Sequence, residues 1–238
     1  MFFKKKNKTF TSVIIPAAGS GKRMGADKNK IFLELLNIPV LARTLSVFND
    51  MDEINEIIVV ASENDIFEVS ALAESYGISK LKSVVLGGAE RQDSVRNGLR
   101  ELSPESEIVL IHDAARPLIQ KEVIKEIIEN VKLFGASACG AKCKNTVKLI
   151  DDDGYIKETL NRDYLLEIHT PQGFKSDLIT SAYENADKNG FTSTDDCMVA
   201  EHFGAKIKVV FEGTDNIKIT TYDDLAIAEQ ILEKRGEK

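Results

Sequence analysis

The sequence predicts an α/β fold, a mainly parallel sheet covered by helices on both faces. Three observations carry this reading. Apolar, β-branched runs alternate with helix-period segments along most of the 238 residues. The strand-like segments are short unbroken runs, such as Val13-Ile14-Ile15, as suits strands buried on both sides. The glycine-rich and acidic motifs fall mostly at the carboxyl ends of these runs, where such sheets gather ligands.

Val13–Pro16 is the first predicted strand. A helix is expected from Pro39, and Ile57–Ala61 is the second strand. Leu81–Leu86 and Ile108–Ile111 follow as strands. Between them Val95, Leu99 and Leu102 fit a helical stripe. Val123, Ile124, Ile127, Ile128 and Val131 have the spacing of one buried helix face. Lys206–Phe211 reads as a late strand, Asn216–Thr220 as strand-like, and Leu225, Ala228 and Leu232 mark a closing helix. One region breaks the rhythm. Asp151-Asp152-Asp153-Gly154 separates the strand-like runs Thr146–Ile150 and Tyr155–Leu160, and Asp-Gly between two such runs signals a hairpin. With its flanks, at about 142–170, it is expected as an arm inserted in one domain spanning 1–238, suited to a substrate lid or a dimer contact.

Composition narrows the class. Hydrophobic residues make up 43% and charged residues 29%, which fits a globular protein with a sizeable core. The formal charge of −7 argues against a broad nucleic-acid surface. No apolar run approaches the roughly 20 residues of a membrane span. Met1–Lys8 carries charge but no apolar stretch, so it reads as a frayed tail rather than a secretory signal. Cys139, Cys143 and Cys197 are odd in number and lack zinc-ligand spacing, in keeping with a reducing cytoplasm.

Four motifs carry chemistry. Pro16-Ala17-Ala18-Gly19-Ser20-Gly21-Lys22-Arg23-Met24-Gly25 directly follows the first strand, with Lys28 and Lys30 just beyond. Small residues let backbone N–H groups approach a polyphosphate while nearby cations offset its charge. The spacing matches neither the dinucleotide fingerprint nor the Walker pattern. Ile111-His112-Asp113-Ala114-Ala115-Arg116-Pro117 ends a buried strand. There Asp113 is placed to meet a magnesium ion or a ribose, or simply to cap the following turn, and Arg116 to grip a phosphate. His112 has no nucleophile beside it in sequence and reads as structural. Gly87-Gly88-Ala89-Glu90-Arg91-Gln92-Asp93-Ser94-Val95 allows close backbone approach to a flat base, or is a plain strand-to-helix turn. The later group comprises Thr146, Lys148, Arg162, Thr170, Thr194-Asp195-Asp196 and Asp215–Lys218. Thr194 or Asp195 suits a helix cap, and an inward Lys218 calls for an anionic partner.

Taken together, the ordered set PAAGSGKRMG, NKIFLEL, GGAERQDSV, HDAARP, NTVK, ETLNR, TPQGF, TDD and DNIKIT resembles the 2-C-methyl-D-erythritol 4-phosphate cytidylyltransferases of non-mevalonate isoprenoid synthesis. The resemblance runs over nearly the whole chain. It implies a Rossmann-like α/β fold with a protruding β-arm, a homodimer with interlocking arms, and conversion of CTP and methylerythritol phosphate to the CDP-alcohol and pyrophosphate with Mg²⁺. It places Ala17, Ala18, Gly19, Gly21, Arg23 and Lys30 around CTP, and Gly87, Ser94, Asp113 and Ala114 at cytosine and ribose. Arg116, Thr146, Arg162, Thr170, Thr194 and Lys218 would hold methylerythritol phosphate, with Thr146 and Arg162 arriving from the partner's arm. Arg23, Lys30 and Lys218 are the expected catalytic cations, and Asp113 the expected metal contact. The sequence departs from the pattern at Lys28, Asn29, His169 and Cys197, none of them an expected catalytic residue. Ribitol-5-phosphate cytidylyltransferases share part of the motif set, and Pro-Ala-Ala before the glycines favours the methylerythritol enzymes. A sugar 1-phosphate nucleotidyltransferase and a nucleotide-binding protein without catalysis are the remaining readings.

Overall fold

In the computed structural model, which describes residues 9–19 and 29–237, β1 (Thr11–Pro16) comes first. A short ribbon, β2 (Glu34–Leu35) and β3 (Ile38–Pro39), then leads into α1 (Val40–Asn49). There follow β4 (Glu56–Ala61), α2 (Ile66–Ser75), β5 (Leu81–Leu86), α3 (Arg91–Arg100), β6 (Ile108–Ile111), α4 (Lys121–Phe134) and β7 (Ala136–Lys142). A hairpin, β8 (Val147–Ile150) and β9 (Ile156–Leu160), precedes β10 (Leu166–Lys175), α5 (Ser176–Asn189), α6 (Asp196–His202), β11 (Lys208–Phe211) and α7 (Tyr222–Arg235). The main sheet runs β11-β7-β10-β6-β1-β4-β5. Its neighbours are parallel except where β10 meets β6 and β7.

The unbroken apolar runs feed two cores. Val13, Ile15, Ile57 and Val59 face α1, α2 and α4, while Ile14, Ile58, Val60 and Val109 face α3, α5 and α6. Alternate residues of one strand therefore serve opposite layers, and each fully buried side chain contributes about 1.5–3 kcal/mol. The predicted stripe of α4 buries Ile124, Ile127, Ile128 and Val131 and ends at Gly135, whose φ of 88° closes the helix. Gly98 brings α3 against β1, because a Cβ there would stand 2.6 Å from Ile14 Cγ2. A third cluster joins Leu35, Val40 and Leu118 to Ile219 and to Ala228 and Leu232 of α7.

Several elements differ from the sequence reading. β7 escapes it because Ala136-Ser-Ala-Cys-Gly-Ala-Lys is built of small residues; at Gly140 a Cβ would stand 2.6 Å from the Glu167 carbonyl oxygen of β10. β10 contains Pro171, unusual for an inner strand, and accommodates it where its register with β7 shifts between Ile168 and Gln172. The expected strand at Asn216–Thr220 is absent. That segment makes one main-chain bond, Ile219 N–H to Ala115 O at 2.8 Å, in place of a ladder. The late strand is shorter than read, Lys208–Phe211. The hairpin falls inside the expected arm, but Leu166–Thr170 already belongs to the main sheet.

Candidate active site

The carboxyl ends of β1 and β6 and the segments after β5 and before α7 enclose a cavity of about 360 Å³. Its floor is made of small residues held by main-chain bonds. The Ala17 N–H donates to Val60 O at 2.7 Å and the Gly87 N–H to Ala61 O at 2.8 Å. The Gly88 N–H reaches Ser94 Oγ at 3.1 Å. Ala18 and Gly87 face each other so closely that a Cβ on Gly87 would lie 2.4 Å from Ala18 Cβ. Gly87→Ala is therefore expected to push the two loops apart at a cost of about 1–3 kcal/mol. Urea denaturation of the variant should show a stability loss within that range, and a titration with CTP, the ligand expected from the sequence, should show affinity weakened about tenfold or more.

Lys30 also lines the cavity. It begins a single turn, Lys30–Phe32, whose Ile31 is buried in the core. Asn29 ties this turn to its surroundings: its Nδ2 donates to Asp65 at 2.9 Å and to Ala17 O at 3.4 Å. Gly21 and Arg23, expected beside Lys30, lie outside the described residues.

Asp113 is the electrostatic centre. Lys218 Nζ stands 2.9 Å from Oδ2, Arg116 Nε 3.5 Å from Oδ2, and Arg91 Nε 3.5 Å from Oδ1. Burial works to raise its pKa, but Lys218, Arg91 and Arg116 outweigh burial and hold the carboxyl well below the usual carboxylate range. Arg91, whose role the sequence reading left open, is bound in turn by the fully buried Asp196 at 2.7 Å, which also accepts from Tyr183 Oη at 2.6 Å. Among the described residues that line the cavity, Lys30, Arg91 and Lys218 are basic and Glu90 and Asp113 acidic, an excess of one positive charge.

His112 supports Asp113 from behind. The Arg116 carbonyl can only accept, so Nε2–H donates to it at 3.0 Å. Nδ1 then accepts from the Thr170 hydroxyl at 3.1 Å, and that oxygen accepts from the Asp113 N–H at 3.0 Å. Burial lowers the His112 pKa from 6.5 to about 4. The native imidazole stays neutral while the unfolded one takes up a proton, so stability falls as pH drops from about 6.5 towards 4. The urea midpoint is expected to report a loss of about 2 kcal/mol between pH 7.5 and 5. His112→Gln, which does not titrate, should be less stable at neutral pH and lack that decline.

Comparison with known proteins places this geometry. Residues 11–234 match the family model described as "IspD: 2-C-methyl-D-erythritol 4-phosphate cytidylyltransferase". The chain belongs to this cytidylyltransferase family. It is 45% identical over 233 residues to the 2-C-methyl-D-erythritol 4-phosphate cytidylyltransferase of Alkaliphilus oremlandii, covering 98% of this chain and 99% of that one. Among solved structures it resembles the 4-diphosphocytidyl-2C-methyl-D-erythritol synthase of Anaerococcus prevotii, with a TM-score of 0.85 and 38% identity over 95% of this chain and 97% of that one. The Francisella tularensis 2-C-methyl-D-erythritol 4-phosphate cytidylyltransferase gives 0.78 and 30% over 93% and 99%.

Within this cytidylyltransferase family fold, the described site residues expected from sequence divide into three groups. Ala17, Ala18, Gly19, Lys30, Ser94, Asp113, Ala114 and Lys218 line the cavity. Gly87, Arg116 and Thr170 stand directly behind its walls, bonded to lining residues or in contact with them. Thr146, Arg162 and Thr194 do not line it. Thr146 and Arg162 are exposed at the base of the arm, where Arg162 Nη1 donates to Lys144 O at 2.8 Å. Thr194 is exposed before α6, and Asp195 rather than Thr194 caps that helix, accepting from the Met198 N–H. Arg91 was legible only as a cation in the Gly87–Val95 motif; its partner Asp196 lies 105 residues further on.

Proposed function

We propose that the chain transfers a cytidylyl group from CTP to 2-C-methyl-D-erythritol 4-phosphate, yielding the CDP-alcohol and pyrophosphate. The observation that carries this reading is the convergence of Lys30, Asp113 and Lys218 on one small-residue cavity in a chain matched to the family from residue 11 to 234. A non-bridging oxygen of the acceptor phosphate attacks the α-phosphorus. The bond from that phosphorus to the bridging oxygen breaks, and pyrophosphate leaves with the electron pair. The acceptor phosphate is already ionised near neutral pH, so no general base is required. Both reactants are anions, and the protein's work is alignment and charge cancellation. Ala17, Ala18, Gly19 and Gly21 give the triphosphate backbone access. Lys30 and Arg23 offset charge at the α-phosphate and leaving group. Gly87, Ser94, Ala114 and Asp113 bound the nucleoside, while Lys218 and Arg116 orient the acceptor phosphate.

The residues fit magnesium as a site of one carboxylate. Asp113 is ionised and its Oδ1 carries a single long contact, to Arg91, while no group of three metal-binding side chains gathers among the described residues. A magnesium ion held by Asp113 and phosphate oxygens would supply further charge neutralisation across the triphosphate. Homodimerisation through the arm accords with the exposed Leu149, Ile150, Tyr155, Ile156 and Tyr164. In such a dimer Thr146 and Arg162 of the partner subunit would complete the acceptor site, with Thr194 at its edge. A cytoplasmic location accords with three free cysteines, and no helix among the described residues is long and apolar enough to cross a membrane.

Pyrophosphate release with CTP and Mg²⁺ tests the proposal. Turnover with methylerythritol 4-phosphate and not with ribitol 5-phosphate is the expected result. Preference for ribitol 5-phosphate would keep the mechanism and change the substrate; no release with either would remove the activity.

A further inference from the structure

The acceptor side of the cavity depends on a segment without regular structure. Residues 212–219 leave β11 and cross to the end of β6, carrying Lys218. Main-chain bonds pin only the two ends: the Glu212 N–H donates to Gly140 O at 3.0 Å and the Ile219 N–H to Ala115 O at 2.8 Å. Between them the segment is held by side chains. Glu212, whose side chain is only 5% exposed, accepts from His169 Nδ1 at 2.7 Å and from Asn216 Nδ2 at 3.0 Å through the same oxygen. Asn216 Nδ2 also donates to Thr170 O at 2.9 Å, and Asn216 O accepts from Arg116 Nη1 at 2.6 Å. A continuous chain of hydrogen bonds therefore links His169 on β10, through Glu212 and Asn216, to the guanidinium beside Asp113. Lys218 lies two residues beyond Asn216 in the same segment.

We propose that Glu212 is a positioning residue that, by clamping Asn216 against β10, sets the aim of Arg116 and Lys218 at the acceptor phosphate. The inference rests on the reading of Arg116 and Lys218 as acceptor-phosphate contacts. Glu212 itself lies outside the reacting cavity, and its action is felt by one substrate. Most of the floor assigned to the nucleotide is built from the ends of β1 and β5 and the Lys30 turn, which the clamp does not touch; at the end of β6 the clamp meets Asp113 through Arg116, Lys218 and Thr170. Displacing charged groups by even about 1 Å is enough to cost on the order of 10²-fold in rate.

The test compares wild type, Glu212→Ala and Glu212→Gln in steady-state kinetics for each substrate and in amide hydrogen exchange over residues 213–219. Alanine is expected to raise KM for methylerythritol phosphate about tenfold or more while KM for CTP stays within about twofold. Glutamine keeps an oxygen that accepts from both His169 and Asn216, and is expected to restore the acceptor KM to within about threefold of wild type. Exchange at Lys218 and Ile219 should quicken in Glu212→Ala and not in Glu212→Gln. Should Glu212→Ala fail to fold, His169→Ala, which removes one of the two donors holding Glu212, must show the same split. An equal rise in both KM values, an unchanged acceptor KM, or unchanged exchange in Glu212→Ala overturns the proposal. Failure of the wild type to use methylerythritol phosphate defeats the functional reading instead, and the exchange comparison still decides the clamp.

Discussion

Lys30→Ala is expected to lower turnover by about 10²–10³, or roughly 3–4 kcal/mol of transition-state stabilisation, with KM for CTP changed only a few-fold. The structure gives a reason for the size of this effect. Lys30 stands at the start of a turn whose next residue, Ile31, is buried, and whose preceding residue, Asn29, is fastened to Asp65 and to the Ala17 carbonyl. The backbone that carries the ammonium group is therefore set before substrate arrives. A charge held in place in a partly enclosed cavity costs little reorganisation when negative charge moves to the leaving pyrophosphate. Lys30→Arg should recover part of the loss, since it keeps the charge but replaces a compact ammonium with a wider planar fork. Single-turnover pyrophosphate release, started from preformed enzyme–CTP complex, separates this step from binding. Near-wild-type turnover in Lys30→Ala would sink the assignment.

The parts of the molecule that were legible in the sequence share a physical cause. β1, β4 and β6 are flanked by strands and covered on both faces, so continuous Val and Ile runs mark them directly. The motifs at their ends are legible because small residues beside cations at a strand's carboxyl end suit a polyphosphate. β7 follows a different rule: its neighbours approach so closely that small residues are required, and small residues carry no strand signal. β10 was hidden by Pro171, which the register shift absorbs. The stretch from Asn216 to Thr220 alternates polar and apolar residues as a strand would, yet its polar side chains point to a hydrogen-bond clamp and a carboxylate rather than to solvent. Support for the site was the least legible part. Arg91 acquires its meaning from Asp196, and Asp113 from Thr170 and His112, partners that only the fold brings together.

Lys218→Ala is expected to reduce kcat/KM for methylerythritol phosphate by about 10²–10³ while leaving CTP binding within about twofold by calorimetry. Two effects compete in that number. Lys218 neutralises Asp113 at 2.9 Å, and its side chain, 37% exposed, also lines the cavity. If neutralising Asp113 were its main task, removing the carboxylate as well would restore activity, and the double variant Lys218→Ala/Asp113→Asn would outperform the single one. If Lys218 grips the acceptor phosphate itself, the double variant gains nothing. The geometry favours the second outcome. Arg91 and Arg116 remain 3.5 Å from Asp113 when Lys218 is gone, so the carboxylate keeps two cations, whereas the phosphate loses the one cation that projects from the 212–219 segment into the cavity. Charge removed from Asp113 would also release Arg116, whose Nε it accepts, and blur the aim of the remaining cation. The double variant is therefore expected to fall at or below the single one, and recovery above it would reassign Lys218 from the phosphate to the carboxylate.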